Sequence, residues 1–302
     1  MSIAFLFPGQ GSQHVGMGQD LYESDPMAHA VFDQADNQLG FPLSQLCFEG
    51  PLDELTDTLN QQPALFVVSV AMLQAMEAQG WEQPAFVAGH SLGELSALVA
   101  AGSLSFADGL KLVRRRGELM KEAGEQEPGA MAAILALDTA VVKDLCQQAS
   151  AATGRPIQLA NDNCPGQVVI SGDARALEKA ISLAEEAGAR KIVKLPITIA
   201  AHSALMASAS AAFADAVAMT AITVPKVPII GNVTAQPLTT PDEIRAELAA
   251  QLTSAVAWTD SMQYLLSHGV DTFVEVGAGD ILLGLMKRID RQAKRVKFEI
   301  GN

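Results

Sequence analysis

The chain has 302 residues, with 20 Lys and Arg against 34 Asp and Glu, a formal charge of −14, and 49% of its residues are hydrophobic. That balance supplies too few cations for generic nucleic-acid binding, which needs a cationic face against phosphates, and an aromatic content of 5% leaves little surface for stacking bases. The length is sufficient for a large buried core, while no apolar stretch approaches the ~18 residues of a membrane span; the richest, 64–73, is broken by Ser69.

The N-terminus shows neither a basic leader nor a small-residue cleavage pattern, so no signal peptide is expected. Cys47, Cys146 and Cys164 are odd in number and form no CxxC, which fits packed small apolar residues in a reducing compartment. A cytoplasmic protein is the expectation. Residues 3–7 predict a first strand, ended by Pro8-Gly9. A second strand is predicted over 85–88, followed by Gly89-His90-Ser91-Leu92-Gly93 and a helical stretch over 94–101. Residues 111–125 predict another helix. From residue 131 the pattern becomes strand (131–137), helix (139–152), strand (157–160), strand (167–171), helix (174–187), strand (191–195). Short strands alternating with helices predict an α/β fold with a mostly parallel sheet. The βαββαβ succession is the order of a ferredoxin-like unit. The simplest organisation is a ferredoxin-like subdomain over 129–196 inserted into a main domain built from 1–128 and 197–302, with a cleft between the two bodies.

Gly89-His90-Ser91-Leu92-Gly93 matches GxSxG, which requires a strand entering a tight turn that leaves into a helix, with serine at the apex. Both flanking patterns are present, which makes Ser91 the candidate nucleophile. A serine hydroxyl needs a general base at neutral pH. Of five histidines, His90 leaves the elbow in the wrong direction, and His29 and His268 lie in amphipathic helical stretches. His202 follows the inserted unit in a loop ahead of a helix-prone run and is better placed than these or His14. On the helix predicted over 111–125, Lys111, Arg114, Arg115, Glu118, Lys121 and Glu122 share a polar arc, whereas Arg116 falls among Leu112, Val113, Leu119, Met120 and Ala123. A guanidinium on a core-facing arc requires an anionic partner. That partner is either an Asp or Glu of the chain or the carboxylate of a substrate held by a bidentate fork.

These residues belong to a collinear set: Phe7-Pro-Gly-Gln-Gly-Ser-Gln13, Gln62-Pro-Ala64, Gly89-His-Ser-Leu-Gly-Glu94, Arg116-Gly117, Gly129-Ala-Met-Ala-Ala-Ile134, Asn163-Cys-Pro-Gly-Gln167, His202-Ser-Ala-Leu-Met206, Gln251, Trp258 and Glu275-Val-Gly277. Nearly end to end, the chain resembles the malonyl-CoA:acyl carrier protein transacylases of type II fatty acid synthesis and, more broadly, the acyltransferase domains of polyketide synthases. The resemblance implies an α/β-hydrolase-like main domain with the ferredoxin-like insertion. It implies a Ser91-His202 pair whose imidazole is oriented by backbone carbonyls, Arg116 gripping the free malonyl carboxylate, and an oxyanion hole from the backbone N–H groups of Gln10 and Leu92. Gln62, Asn163 and Gln251 match positions lining the substrate site. The implied partners are malonyl-CoA, coenzyme A and acyl carrier protein, with no nucleic acid, no membrane, no metal and no cofactor; a monomer is expected.

Departures from the family pattern occur at Ile199-Ala200-Ala201, at Cys164, where Ser is commoner, and at Ala255-Val256-Ala257. Small Ala201 beside the base leaves room for a substituted malonyl group. The same active-site set would serve a stand-alone polyketide acyltransferase or a malonate decarboxylase transacylase, and Ser-His chemistry would also serve a hydrolase or thioesterase. Two local basic groups stand out from the acidic total. Lys287, Arg288, Arg291, Lys294, Arg295 and Lys297 outnumber Asp290 and Glu299, and Arg190, Lys191 and Lys194 close the inserted unit. Lys287-Arg288 and Arg190-Lys191 match basic positions near the family's carrier-docking region.

Overall fold

In the computed structural model, residues 2–298 are described; Glu299, counted above with the C-terminal basic group, lies outside them. Ten strands build two sheets: β1 (Ile3–Phe7), β2 (Phe86–Gly89), β3 (Gly129–Leu135), β4 (Ile157–Cys164), β5 (Gln167–Asp173), β6 (Lys191–Lys194), β7 (Ile229–Ile230), β8 (Pro237–Leu238), β9 (Thr272–Glu275) and β10 (Lys294–Lys297). The first sheet has the order β10-β9-β1-β2-β7-β8 and is parallel except for the β7–β8 pair. Its strands β1, β2 and β9 are almost continuously buried, as strands must be when helices cover both faces of a parallel sheet. The second sheet, β4-β5-β3-β6, is wholly antiparallel. It has its own core, in which Val142, Leu145, Leu177 and Ile181 from two covering helices meet Ile134, Leu159, Val168 and Ile170.

Two long helices pack against each other and bring Gln62 and Arg116 together. Thr58–Ala78 is apolar all round and buried along most of its length, the mark of an internal helix. Phe106–Gln126 begins where the Ser105 hydroxyl accepts from Asp108 N at 3.1 Å, an N-cap that stabilises a helix by about 1 kcal/mol. Its buried face carries Leu112, Val113, Arg116, Leu119, Met120 and Ala123, the apolar arc expected from the sequence.

The middle strands differ from expectation at their ends. β3 starts at Gly129 and stops at Leu135, because Ala136 adopts φ 70°, a left-handed conformation that no strand continues through. β4 continues through the polar run Asn161-Asp162-Asn163 to Cys164. Two register shifts against β5 interrupt the alternation that would have marked it as a strand. The polar run is satisfied from the main body. Asp162 N donates to Val256 O at 2.9 Å, and Thr259 Oγ1 donates to the Asp162 carboxylate at 2.7 Å. These bonds fix the smaller sheet against the larger one and bring Asn163 to the back of the elbow.

Candidate active site

β2 runs into the turn at Gly89 and leaves it as the helix Gly93–Ala100. A Cβ at Gly89 would lie 1.9 Å from the Gly93 carbonyl, and one at Gly93 would lie 2.0 Å from Phe7 O. Only glycine fits both positions. The turn forces Ser91 to φ 52°, a left-handed conformation costing a non-glycine residue roughly 1–2 kcal/mol. That conformation is held from below: Ser91 N donates to Asn232 Oδ1 at 2.7 Å, and Gln251 Nε2 donates to Ser91 O at 3.0 Å.

His202 also sits at positive φ, 58°, in the loop that returns from the smaller sheet. Its Nε2 is 2.8 Å from Ser91 Oγ, and its Nδ1 faces the backbone carbonyls of Gln251 at 2.8 Å and Ser254 at 3.1 Å. Carbonyls only accept, so the proton is assigned to Nδ1 and Nε2 is left to accept from the serine hydroxyl. Burial, with Arg116 close by, holds the imidazole down to about 3, so it rests neutral at every physiological pH. His90 points elsewhere, with Nε2 2.8 Å from Asn163 Oδ1, as the elbow geometry required.

Arg116 is fully buried. Its Nη1 donates to Gln62 Oε1 at 2.8 Å, and its Nη2 donates to Ser91 Oγ at 3.0 Å and Gln251 Oε1 at 2.9 Å. Among the described residues no carboxylate touches it, and two neutral amide oxygens stand where the sequence allowed a structural Asp or Glu. Its buried Nε has no hydrogen-bond partner among the described residues. Burial pushes the guanidinium down to about 10, opposed in part by the nearby Glu94. A charge held this way, with two of its five N–H donors unspent, is prepared for an anion from outside.

The loop after β1 leans on the elbow. His90 N donates to Phe7 O at 2.9 Å, and a Cβ at Gly9 would lie 2.4 Å from His90 O. Among the described residues the backbone N–H groups of Gln10 and Leu92 donate to nothing. The Gln10 side chain turns away to Gln61 Oε1 at 2.6 Å.

Ser91, His202, Arg116, Gln62 and Gln251 therefore form one hydrogen-bonded cluster, with the Leu92 amide next in the chain to Ser91 and the loop that carries Gln10 packed on the elbow through Gly9. Asn163 reaches the elbow only through His90. Arg190, Lys191, Lys287 and Arg288 lie outside the cluster on exposed positions. Arg288 is engaged already, donating to Pro165 O at 3.0 Å and to the Gln167 side chain. Two residues of the site were missed in the sequence. Asn232 follows a two-residue strand in a loop with no pattern to mark it. Glu94 did carry a signal, as a lone acid in the apolar run Gly-Glu-Leu-Ser-Ala-Leu-Val-Ala.

The fold and this cluster are those of an acyl-transfer protein: the acyl transferase domain family matches residues 4–299, and the chain belongs to that family. The malonyl CoA-acyl carrier protein transacylase of Bacillus subtilis strain 168 is 47% identical over 294 residues, 97% of this chain and 92% of its own length. That of Escherichia coli K12 is 44% identical over 287 residues, covering 95% and 92%. The solved transacylase of Coxiella burnetii superposes with a TM-score of 0.95 at 39% identity, covering 98% of this chain and 93% of that one. A malonyl-transacylase solved in complex with its type II polyketide acyl-carrier protein superposes equally well, TM-score 0.95 at 36% identity, covering 99% and 96%. Among the described residues no helix is long and apolar enough to cross a membrane.

Proposed function

We propose that Ser91 carries a malonyl group from malonyl-CoA to the phosphopantetheine thiol of acyl carrier protein, supplying fatty acid biosynthesis. The observation that carries this reading is the position of Ser91 Oγ, 2.8 Å from a neutral imidazole nitrogen and 3.0 Å from a guanidinium that still has a donor free. In the first half-reaction Ser91 Oγ attacks the thioester carbonyl while its proton passes to His202 Nε2. The Gln10 and Leu92 N–H groups receive the oxyanion. Collapse breaks the C–S bond, the coenzyme A sulfur takes the proton from His202, and a malonyl ester remains on Ser91. The second half runs the same steps in reverse with the carrier thiol as nucleophile, returning the proton to Ser91.

Arg116 holds the distal carboxylate of the malonyl group, with Gln62, Gln251 and Asn163 shaping the surroundings. The electrostatics couple this grip to the base. Arg116 is one of the causes that keep His202 from protonating, so neutralising the guanidinium with a malonyl carboxylate makes the imidazole a better base when it is needed. A monocarboxylic acyl group does not do this. The same feature disfavours a simple hydrolase, whose ester substrate would leave a buried cation unanswered.

The smaller antiparallel sheet, with its two covering helices on one face, supports reading 129–196 as a ferredoxin-like subdomain inserted into an α/β-hydrolase-like domain formed by 1–128 and 197–302. Arg190, Lys191, Lys287 and Arg288 serve the acidic carrier, with Arg288 contributing while it ties the turn after β4. The enzyme works as a cytoplasmic monomer, in keeping with its three free cysteines. Intact mass after mixing with malonyl-CoA tests the reading. A malonyl adduct should appear, disappear on adding carrier protein, and be absent in Ser91→Ala; folded wild-type protein that takes up no malonyl would overturn it.

A further inference from the structure

Beneath the elbow lies a buried carboxylate that none of the roles above uses. Glu94 is completely buried in the first turn of the helix Gly93–Ala100. Its Oε1 accepts from the backbone N–H and the side-chain Nδ2 of Asn232, both at 2.9 Å. Its Oε2 accepts from Gln251 Nε2. Both partners are amides with one donating and one accepting end, and each turns its accepting end to the reaction. Asn232 Oδ1 takes the Ser91 N–H, and Gln251 Oε1 takes Arg116 Nη2.

Resting on the reading of Ser91 and Arg116 given above, we infer that Glu94 is a positioning residue of the acyl transfer, whose carboxylate sets the polarity of two buried amides and so aligns nucleophile and carboxylate reader together. The reason is that an ionised carboxylate can only accept. Facing it, Gln251 must present its NH2, which leaves its oxygen for Arg116; Asn232 must present its NH2, which leaves its oxygen for Ser91. Glu94 is thus the counter-charge of Arg116, placed one amide away. The distance matters: a carboxylate in direct contact would occupy the guanidinium and exclude the malonyl group, whereas none at all would leave a buried cation uncompensated.

Other charged groups bear on this site. Glu247, from the helix Pro241–Gln251, accepts from Val233 N and Thr234 Oγ1 and fixes the loop that carries Asn232. Burial and Glu247 push Glu94 up to about 8 even with three N–H groups pulling the other way; every hydrogen-bond partner it has among the described residues is a donor, the surroundings of an accepting carboxylate.

Glu94→Gln isolates the effect, because it keeps the shape and removes the accept-only character. Its amide oxygen stays with Asn232, whose backbone N–H cannot turn over, and its new NH2 then faces the NH2 of Gln251. Gln251 then either keeps its NH2 on Ser91 O against that repulsive contact, or turns over, loses Ser91 O and presents a donor to Arg116; both disturb the alignment. Acylation of Ser91 by malonyl-CoA should fall about 10- to 100-fold, the scale of a lost hydrogen bond to a charged group, while acylation by acetyl-CoA falls less. A purely structural role predicts equal losses for both acyl groups, and that result, or an unchanged ratio, overturns the inference. Where Glu94→Gln does not fold, the exchange Glu94→Gln with Gln251→Glu restores a donor-to-acceptor match. It places a carboxylate directly on Arg116, and acylation by malonyl-CoA should fall much further than acylation by acetyl-CoA; a retained malonyl preference would sink the inference. Wild-type acylation measured alongside separates this outcome from failure of the functional reading itself.

Discussion

At the scale of single residues, Arg116 and His202 make the sharpest predictions. Arg116→Ala should reduce Ser91 acylation by malonyl-CoA at least about 100-fold, the upper range for loss of a charge-assisted contact, and leave acetyl-CoA acylation far less affected. Equal loss in stopped mass-spectrometric time courses would remove Arg116 from the selector role. For His202, burial and Arg116 both disfavour the imidazolium, so its ring should stay neutral well below the usual 6.5. Ring 15N and 13C shifts followed from pH 7 to about pH 5 check this, and a titration centred near 6.5 contradicts it. The chemistry-bearing residues were legible because their types are costly to misplace: a serine between two obligatory glycines, an arginine on an apolar arc. The amides proposed to receive the oxyanion and the carbonyls behind His202 are backbone atoms and leave no mark in residue type. Their assignment came from the family likeness alone. Asn232 and Ser254 are legible only once the chain has folded around them.

Elements place these residues through close backbone approach. The elbow works because the loop after β1, the end of β2 and the first turn of the helix Gly93–Ala100 pack without side chains between them. Gly93→Ala puts a methyl group against the carbonyl of Phe7, and backbone on both sides leaves no flexible group to yield. Such overpacking should cost at least about 3 kcal/mol, read from urea unfolding; a wild-type midpoint would show that the approach is looser than described. Strand order in the middle of the chain was legible from periodicity. The ends of β3 and β4 were not, because a left-handed Ala136 and two register shifts are responses to neighbouring strands rather than to local sequence.

Across the molecule, a net charge of −14 coexists with basic groups on the rim of the smaller sheet and at the end of the helix Ile281–Ile289. Arg190→Glu, Lys191→Glu and Lys287→Glu together should slow discharge of the malonyl-enzyme onto carrier protein several-fold at low ionic strength, with the difference shrinking as salt is added. Loading by malonyl-CoA should change less. A defect that persists at high salt would point to altered folding instead of lost attraction. Arg288 is left out of this set because its bonds to the turn after β4 hold the two sheets together.

The pairing of β1 with β9 joins the first strand of the chain to one near its far end, whereas β3 to β6 close within one contiguous stretch. Ring closure over so long a separation is slow, and local pairings form first. On a ribosome, the smaller sheet can therefore be complete while β1, with β2 already at hand on one side, still waits for β9 on the other. The cluster around Ser91 needs the elbow, the returning loop and the helix Pro241–Gln251 at once, so a nascent or truncated chain that ends before residue 251 lacks the groups that orient His202 and Arg116.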